Sequence, residues 1–177
     1  MSRHLDSLDH LQHGSPRQQQ AFATLTRHRV LELLQPYDPI LVGTLPIGID
    51  IASSDLDVIC CCAEPAAFVQ VLHTHFGHAP GWQVRTVDQR GTWAVIANFY
   101  LDGFEVEVFA QAIPTRMQLG YRHMVVEHRL LQQHGAAFRA QIIALKQQGL
   151  KTEPAFAKAL GLAGDPYLAL LQLEEPS

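Results

Sequence analysis

The sequence predicts an α/β (α+β) fold in which helices and strands interleave before the chain turns wholly helical. Three observations carry this. Residues 55–62, "DLDVICCC", alternate cleanly: Asp55, Asp57, Ile59 and Cys61 share one face of an extended chain, and Leu56, Val58, Cys60 and Cys62 share the other. Two β-rich runs, Thr92 to Tyr100 and Phe104 to Ala110, flank Asp102-Gly103, a strong hairpin turn signal. After Pro114, Met117, Tyr121, Met124, Val125, His128 and Leu131 recur as a helical stripe, and Phe138, Ile142 and Leu145 continue in a second helix after Gly135.

The other elements follow from local signals. Residues 1–14 are polar and read as a loose tail or short helix. Ser15-Pro16 is a helix start, because Ser caps and Pro is tolerated in the first turn. Ala21, Leu25, Val30, Leu33 and Leu34 extend that helix toward Pro36. Ile40-Leu41-Val42 is a short strand ending at Gly43. Pro65 to Phe76 is a helix stopped by Gly77, and Trp82 to Val87 a strand. Thr152 to Leu160, with Thr152 as cap, and Pro166 to Leu173 are short helices. The best boundary lies near Pro114. It separates a core over 15–114 from a helical C-terminal extension over 115–177, expected to pack together as one compact unit.

Composition narrows the function. With 47% hydrophobic and 17% charged residues in 177, the chain is of globular type. No apolar run approaches the ~20 residues that span a bilayer, and "MSRHLDSLDHLQHGSP" has no apolar core of signal-peptide type. The only cysteines, Cys60 to Cys62, are adjacent and alternate faces, so they form neither a disulfide framework nor a convergent metal site. Together these point to a reduced, cytoplasmic protein. A net charge of −4 argues against bulk nucleic-acid binding, which favours a small-molecule substrate or a protein target.

The chemistry concentrates between residues 41 and 62. Asp55 and Asp57 on one strand face repel each other, and unpaired buried charge is expensive. A divalent cation removes that penalty, and Mg²⁺ prefers such hard oxygen ligands. Two ions about 3.5–4 Å apart clamp the attacking and leaving oxygens of a phosphoryl or nucleotidyl transfer. A third acid is offered by "FEVEVFAQ", where Glu107 is preferred over Glu105 because Glu105 sits near the turn. Gly43 at a strand end admits close backbone approach, and Thr44 adds a hydroxyl for a triphosphate.

Gly43-Thr44, ten residues to Asp55, Ser54-Asp55-x-Asp57 and an acid on a later strand resemble the nucleotidyltransferase superfamily, the DNA polymerase β-like fold. The glycine-to-carboxylate spacing is that of its minimal members. More closely, "GTLPIGIDIASSDLD", "IANFYLDGFEVEVFAQ", "YRHMVVEHRLL" and "GLKTEPAFAKALGL" resemble a family of small uncharacterised bacterial nucleotidyltransferase-like proteins, from about residue 13 onward. The resemblance implies a mixed β-sheet flanked by helices. It implies that Asp55, Asp57 and Glu107 hold Mg²⁺ and that Gly43, Thr44 and Ser54 bind the phosphates. An acceptor hydroxyl would then attack the α-phosphate of a nucleoside triphosphate, with no covalent enzyme intermediate. Minimal members often carry basic residues after the Gly-Ser turn; here Leu45 to Ile49 is apolar, so phosphate charge must be met elsewhere.

Arg122 and Arg129, seven apart on one helix face, are placed to meet a phosphate. His123, read as open, pairs at i,i+4 with Glu127, whereas His128 reads as a packed core histidine. A solvated helix face explains the same residues equally well. Lys151 reaches the phosphates or simply precedes a helix start, and the second reading leads. His73, His75 and His78 match no zinc spacing. Beside the enzyme stand two rivals: a non-catalytic nucleotide- or partner-binding module on the same fold, which the apolar loop favours, and an antitoxin-type enzyme that modifies a partner toxin.

Overall fold

The computed structural model describes residues 3–89 and 92–174. Its centre is a five-stranded mixed sheet built from β1 (Ile40–Val42), β2 (Leu56–Cys61), β3 (Gln83–Gln89), β4 (Thr92–Leu101) and β5 (Phe104–Gln111), in the order β1-β2-β5-β4-β3. Only β2 and β5 run parallel; the other neighbours are antiparallel. A parallel pair needs a long crossover, and here α3 (Pro65–Phe76), β3 and β4 supply it. Asp102 and Gly103 both take positive φ, 48° and 88°, which lets the β4–β5 hairpin close in two residues.

Each sheet face buries its own core. Leu56, Val58, Cys60 and Cys62 pack with Val95, Ala97, Phe99, Val106 and Val108 against α1 (Pro16–Arg27), α2 (Val30–Leu33) and α3. Phe76 and Phe99 stack there with ring centroids 4.9 Å apart. The opposite face places Ile40, Val42 and Ile59 against α4 (Leu119–Gln147), α5 (Thr152–Leu160) and α6 (Pro166–Leu171). The strict alternation of β2 thus feeds two layers, one per face. Among the described residues no helix is long and apolar enough to cross a membrane.

The first helix forms as expected, with Ser15 and Gln18 in a reciprocal capping box. It does not run on to Pro36. It ends at Arg27, Arg29 turns left-handed at φ 53°, and the chain restarts at Val30. Leu25 and Val30 are five apart, so one unbroken helix would not place both on the same face; the turn brings Val30 back to the core. The polar N-terminus is also more ordered than its composition implied. Leu5 and Leu11 sit in two short 3₁₀ turns and are buried, one in each core.

Two helix-end expectations are corrected. Met117 lies in a 3₁₀ turn before α4 and is 65% exposed, outside the apolar stripe. At α5 the cap position is Lys151, not Thr152, and no side chain caps it. Inside α4 the non-helical residue Gly135, φ 76°, separates the two stripes.

Phe99 is fully buried between α3 and the sheet. Replacing it with Ala should cost about 3–5 kcal/mol, read as a lower denaturant midpoint at unchanged slope.

Candidate active site

The Leu45–Ile49 segment explains how the site is framed. Leu45, Ile47 and Ile49 are buried, and their carbonyls are held by side chains from two helices. Gln18 Nε2 donates to the Leu45 carbonyl at 2.8 Å, Arg139 Nη1 to the carbonyls of Ile47 and Gly48, and Lys146 Nζ to that of Ile49 at 2.9 Å. The segment is apolar because it belongs to the core. Its far end returns through Ser54, whose Oγ accepts from the Ile51 amide at 2.9 Å and from Thr44 Oγ1 at 3.2 Å. Ser54 therefore clips the two ends of the loop together beside the strand that carries the acids.

Between that loop, the sheet and α4 opens a cleft of about 1190 Å³. Gly43, Thr44, Ser54, Asp55, Asp57, Glu107, Arg122 and His123 all line it. Asp57 pairs with Glu107 in the β2–β5 register, so the two carboxylates stand side by side on the helical-extension face of the sheet. Asn98 follows in the next register position and donates from Nδ2 to Glu107 Oε2 at 3.2 Å. Gly43 has φ 82°, and a Cβ there would lie 2.5 Å from Asp57 Oδ2. Only glycine fits both the backbone and the carboxylate.

Burial, then Asp55 and Glu107, push the Asp57 carboxyl from an ordinary 3.8 to about 8. Lys146 opposes the shift and does not overcome it. Protein groups alone leave the charge of this cluster uncompensated. A hard cation fits the donor chemistry, since Mg²⁺ takes one or two carboxylates and completes its shell with water and phosphate oxygens. Among the described residues no three acidic, imidazole or thiol side chains already form a ligand set.

Of the basic residues named from sequence, Arg122 and His123 line the cleft but are already engaged, and Arg129 and Lys151 do not line it. Arg122 lines the cleft but is held in a two-point ion pair by Glu174, Nε–Oε1 2.9 Å and Nη2–Oε2 2.5 Å. Arg129 donates to the Leu173 carbonyl. Lys151 is exposed and is not among the residues lining the cleft. His123 is not open but 6% exposed, with Nε2 3.1 Å from the Tyr167 carbonyl and Nδ1 3.6 Å from Glu153 Oε1. His128, expected in the core, is half-buried, its ring 4.9 Å from that of His4. Met124 and Leu131 are buried on the expected stripe, His128 is only partly buried although its Nδ1 is enclosed, and Glu127, on no expected apolar face, is buried.

Lys146 and Glu153 line the cleft without having been named from sequence, and Glu127, expected as the i,i+4 partner of His123, is replaced in that role by Glu153. Glu127 is 3% exposed, Lys146 6%, and Glu153 faces His123. Burial, then Glu153, raise the Glu127 carboxyl well above its ordinary range. Burial lowers the Lys146 ammonium, against the pull of Glu127. The available signal was spacing on the helix: Lys146 is four residues beyond the core residue Ile142, and Glu127 three beyond Met124.

Known proteins align with this architecture. Solved structures of the Cid1 RNA terminal uridylyl transferase match at TM-score 0.55 and 10% identity, over 75% of this chain and 41% of that one. The Cid1 poly(U) polymerase with Mg 3′-dATP bound matches at 0.53 and 13%, over 75% and 41%. The polymerase core of TRAMP, an RNA surveillance complex, matches at 0.53 and 16%, over 89% and 49%. The chain thus has a nucleotidyltransferase-like fold and spans under half the length of these proteins. A protein-family model described as a domain of unknown function (DUF4269) matches residues 23–173, and the chain belongs to that family. No curated protein matches it.

Two outcomes test the site. Gly43→Ala should lose about 1–3 kcal/mol of stability, read by thermal or chemical denaturation, because it forces a left-handed alanine against Asp57. Asp57→Asn should stabilise the cation-free protein in a pH-dependent way. Between about 4 and about 8 native Asp57 keeps a proton that the unfolded chain has lost, so wild-type stability falls as pH rises. The advantage of Asn is therefore expected to be near nil at pH ~4, to grow to pH ~8 and to level off above it. A flat difference across that range would show that Asp57 is not buried as a carboxylic acid.

Proposed function

We propose that the chain is a Mg²⁺-dependent nucleotidyltransferase that moves a nucleoside monophosphate from a nucleoside triphosphate to a hydroxyl of a small molecule or protein. The observation that carries this reading is the side-by-side placement of Asp57 and Glu107, with Asp57 directly against the Gly43 turn. Bound Mg²⁺ would supply charge neutralisation for the triphosphate and be held by Asp55, Asp57 and Glu107.

The chain's own groups do the rest. Gly43 lets phosphate oxygens approach the backbone, and Thr44 offers its hydroxyl by turning from Ser54 Oγ, which keeps its bond to the Ile51 amide. Glu107, oriented by Asn98, takes the proton of the acceptor hydroxyl. The acceptor oxygen bonds to the α-phosphorus as the bond to pyrophosphate breaks, and pyrophosphate leaves with the charge. Lys146 is the cation built into the cleft wall, and Arg122 becomes a second one when it is not held by Glu174. The buried Leu45–Ile49 segment supports the enzymatic reading, since residues packed in the core are not where phosphate charge is met. The named neighbours act on RNA, but a net charge of −4 and an acid-lined cleft favour a small acceptor here.

The test is the thermal shift with each nucleoside triphosphate, with Mg²⁺ or with chelator, in wild type and in Asp55→Asn/Asp57→Asn. The quantity compared is the ligand-induced shift, because removing like charges stabilises the free protein by itself. A triphosphate at a hundredfold its Kd should add about 2.7 kcal/mol, only with Mg²⁺ and only in wild type. A well-folded protein that shifts with no triphosphate would instead be a partner-binding module.

A further inference from the structure

Two buried side-chain oxygens in the cleft have no hydrogen-bond partner: Glu127 Oε1 and Gln118 Oε1. Both are acceptors. The Gln118 amide is oriented unambiguously, since its Nε2 already donates to the carbonyls of Cys60 and Ile113 at 2.8 and 2.9 Å. Glu127 is 3% exposed and still contributes to the cleft wall. Leaving such a group unpaired is costly, more so if it is charged, and points to a partner supplied from outside the chain.

The surroundings define what would satisfy it. Glu153 lies close enough to act electrostatically on Glu127 and faces the cleft beside His123. Lys146, whose charge acts on Glu127, donates instead to the Ile49 carbonyl, and no ion pair to Glu127 within 4 Å is present among the described residues. This corner is formed by α4 and α5, on the helical wall rather than on the strands that carry Asp57 and Glu107. It lies in the same cleft as the acids assigned to the metal, on a different wall. Its need is for donors with positive charge.

We propose that Glu127, with Glu153 beside it, forms an ammonium-binding subsite, so that the acceptor is a hydroxyl compound carrying a primary amine. The assignment rests on the nucleotidyl-transfer reading for the word acceptor, but the binding site itself does not. The amine is held and not modified: its N–H groups donate to the carboxylates, and its positive charge replaces the missing partner. The hydroxyl of the same molecule is the nucleophile of the transfer step.

The experiment measures binding of 2-aminoethanol and glucosamine against their uncharged counterparts, ethylene glycol and glucose, by ligand-observed NMR on the whole chain. Each is tested with and without Mg²⁺ and triphosphate. At least one amine should bind about tenfold or more tightly than its counterpart, as a charge-assisted bond of about 1.5 kcal/mol implies. Glu127→Gln should reduce that ratio to near one; if that variant is poorly folded, Glu153→Gln is expected to lower it in the same direction. Equal binding of amine and neutral compound, no binding of either, or a ratio unchanged in a folded variant would overturn the subsite. The triphosphate shift on the same samples is a separate readout. An amine preference without any triphosphate shift supports the subsite and removes nucleotidyl transfer; a triphosphate shift without amine preference does the reverse.

Discussion

The parallel pairing of β2 with β5 is the contact on which the other features of this molecule depend. It sets Asp57 beside Glu107, and it does so by hydrogen-bond register, not by attraction between the side chains. Two carboxylates at neighbouring positions of a sheet repel. The sheet holds them together anyway because Leu56, Val58, Val106 and Val108 on the opposite face are fully buried. A one-residue slip would exchange the two faces and drive the acids into that core. Hydrophobic burial on one side of the strands thus imposes electrostatic strain on the other.

The rest of the site is arranged around that strain. Gly43 leaves room for the Asp57 carboxyl, Asn98 supports Glu107, and Ser54 clips together the two ends of the loop beside them. The helical wall adds a second layer of constraint. Lys146, buried and bonded to the Ile49 carbonyl, links the apolar loop to α4 and places one positive charge near several acids. It moderates the field without cancelling it, and Asp57 remains a weak acid. A cleft with surplus negative charge and unpaired acceptors is poised for cations, whether metal ions or a charged acceptor.

The C-terminal helices do more than cap the core. Arg122, His123 and Arg129, all on α4, reach Glu174, the Tyr167 carbonyl and the Leu173 carbonyl respectively. These contacts tie the end of the chain to the wall of the cleft. They also explain why basic residues that look free on a helix are engaged: each meets a carbonyl or carboxylate supplied from about 44–52 residues further along.

Much of the architecture was legible in the sequence because its signals are local. The β2 alternation, the Asp102-Gly103 turn, the Ser15-Pro16 start and the glycine after Val42 are each set by neighbours within a few residues, and backbone sterics or side-chain period leave one reading. The acids could be named for the same reason, as types in a spacing. What local pattern cannot carry is which polar side chain of a long helix is buried, since neighbouring residues lie about 100° apart and the docked partner sets the width of the covered face; so Glu127 is buried although no apolar stripe marks it. Nor does it show that Leu45–Ile49 is core, or that Lys146 rather than Lys151 faces the cleft. Those depend on where α4 and α5 dock across the sheet. The strand periodicity and the turn chemistry belong to the sequence alone; the β2–β5 register and the charge balance of the cleft were decided by tertiary packing, because strand pairing, Coulomb and desolvation energies depend on distances and burial between residues far apart in the chain.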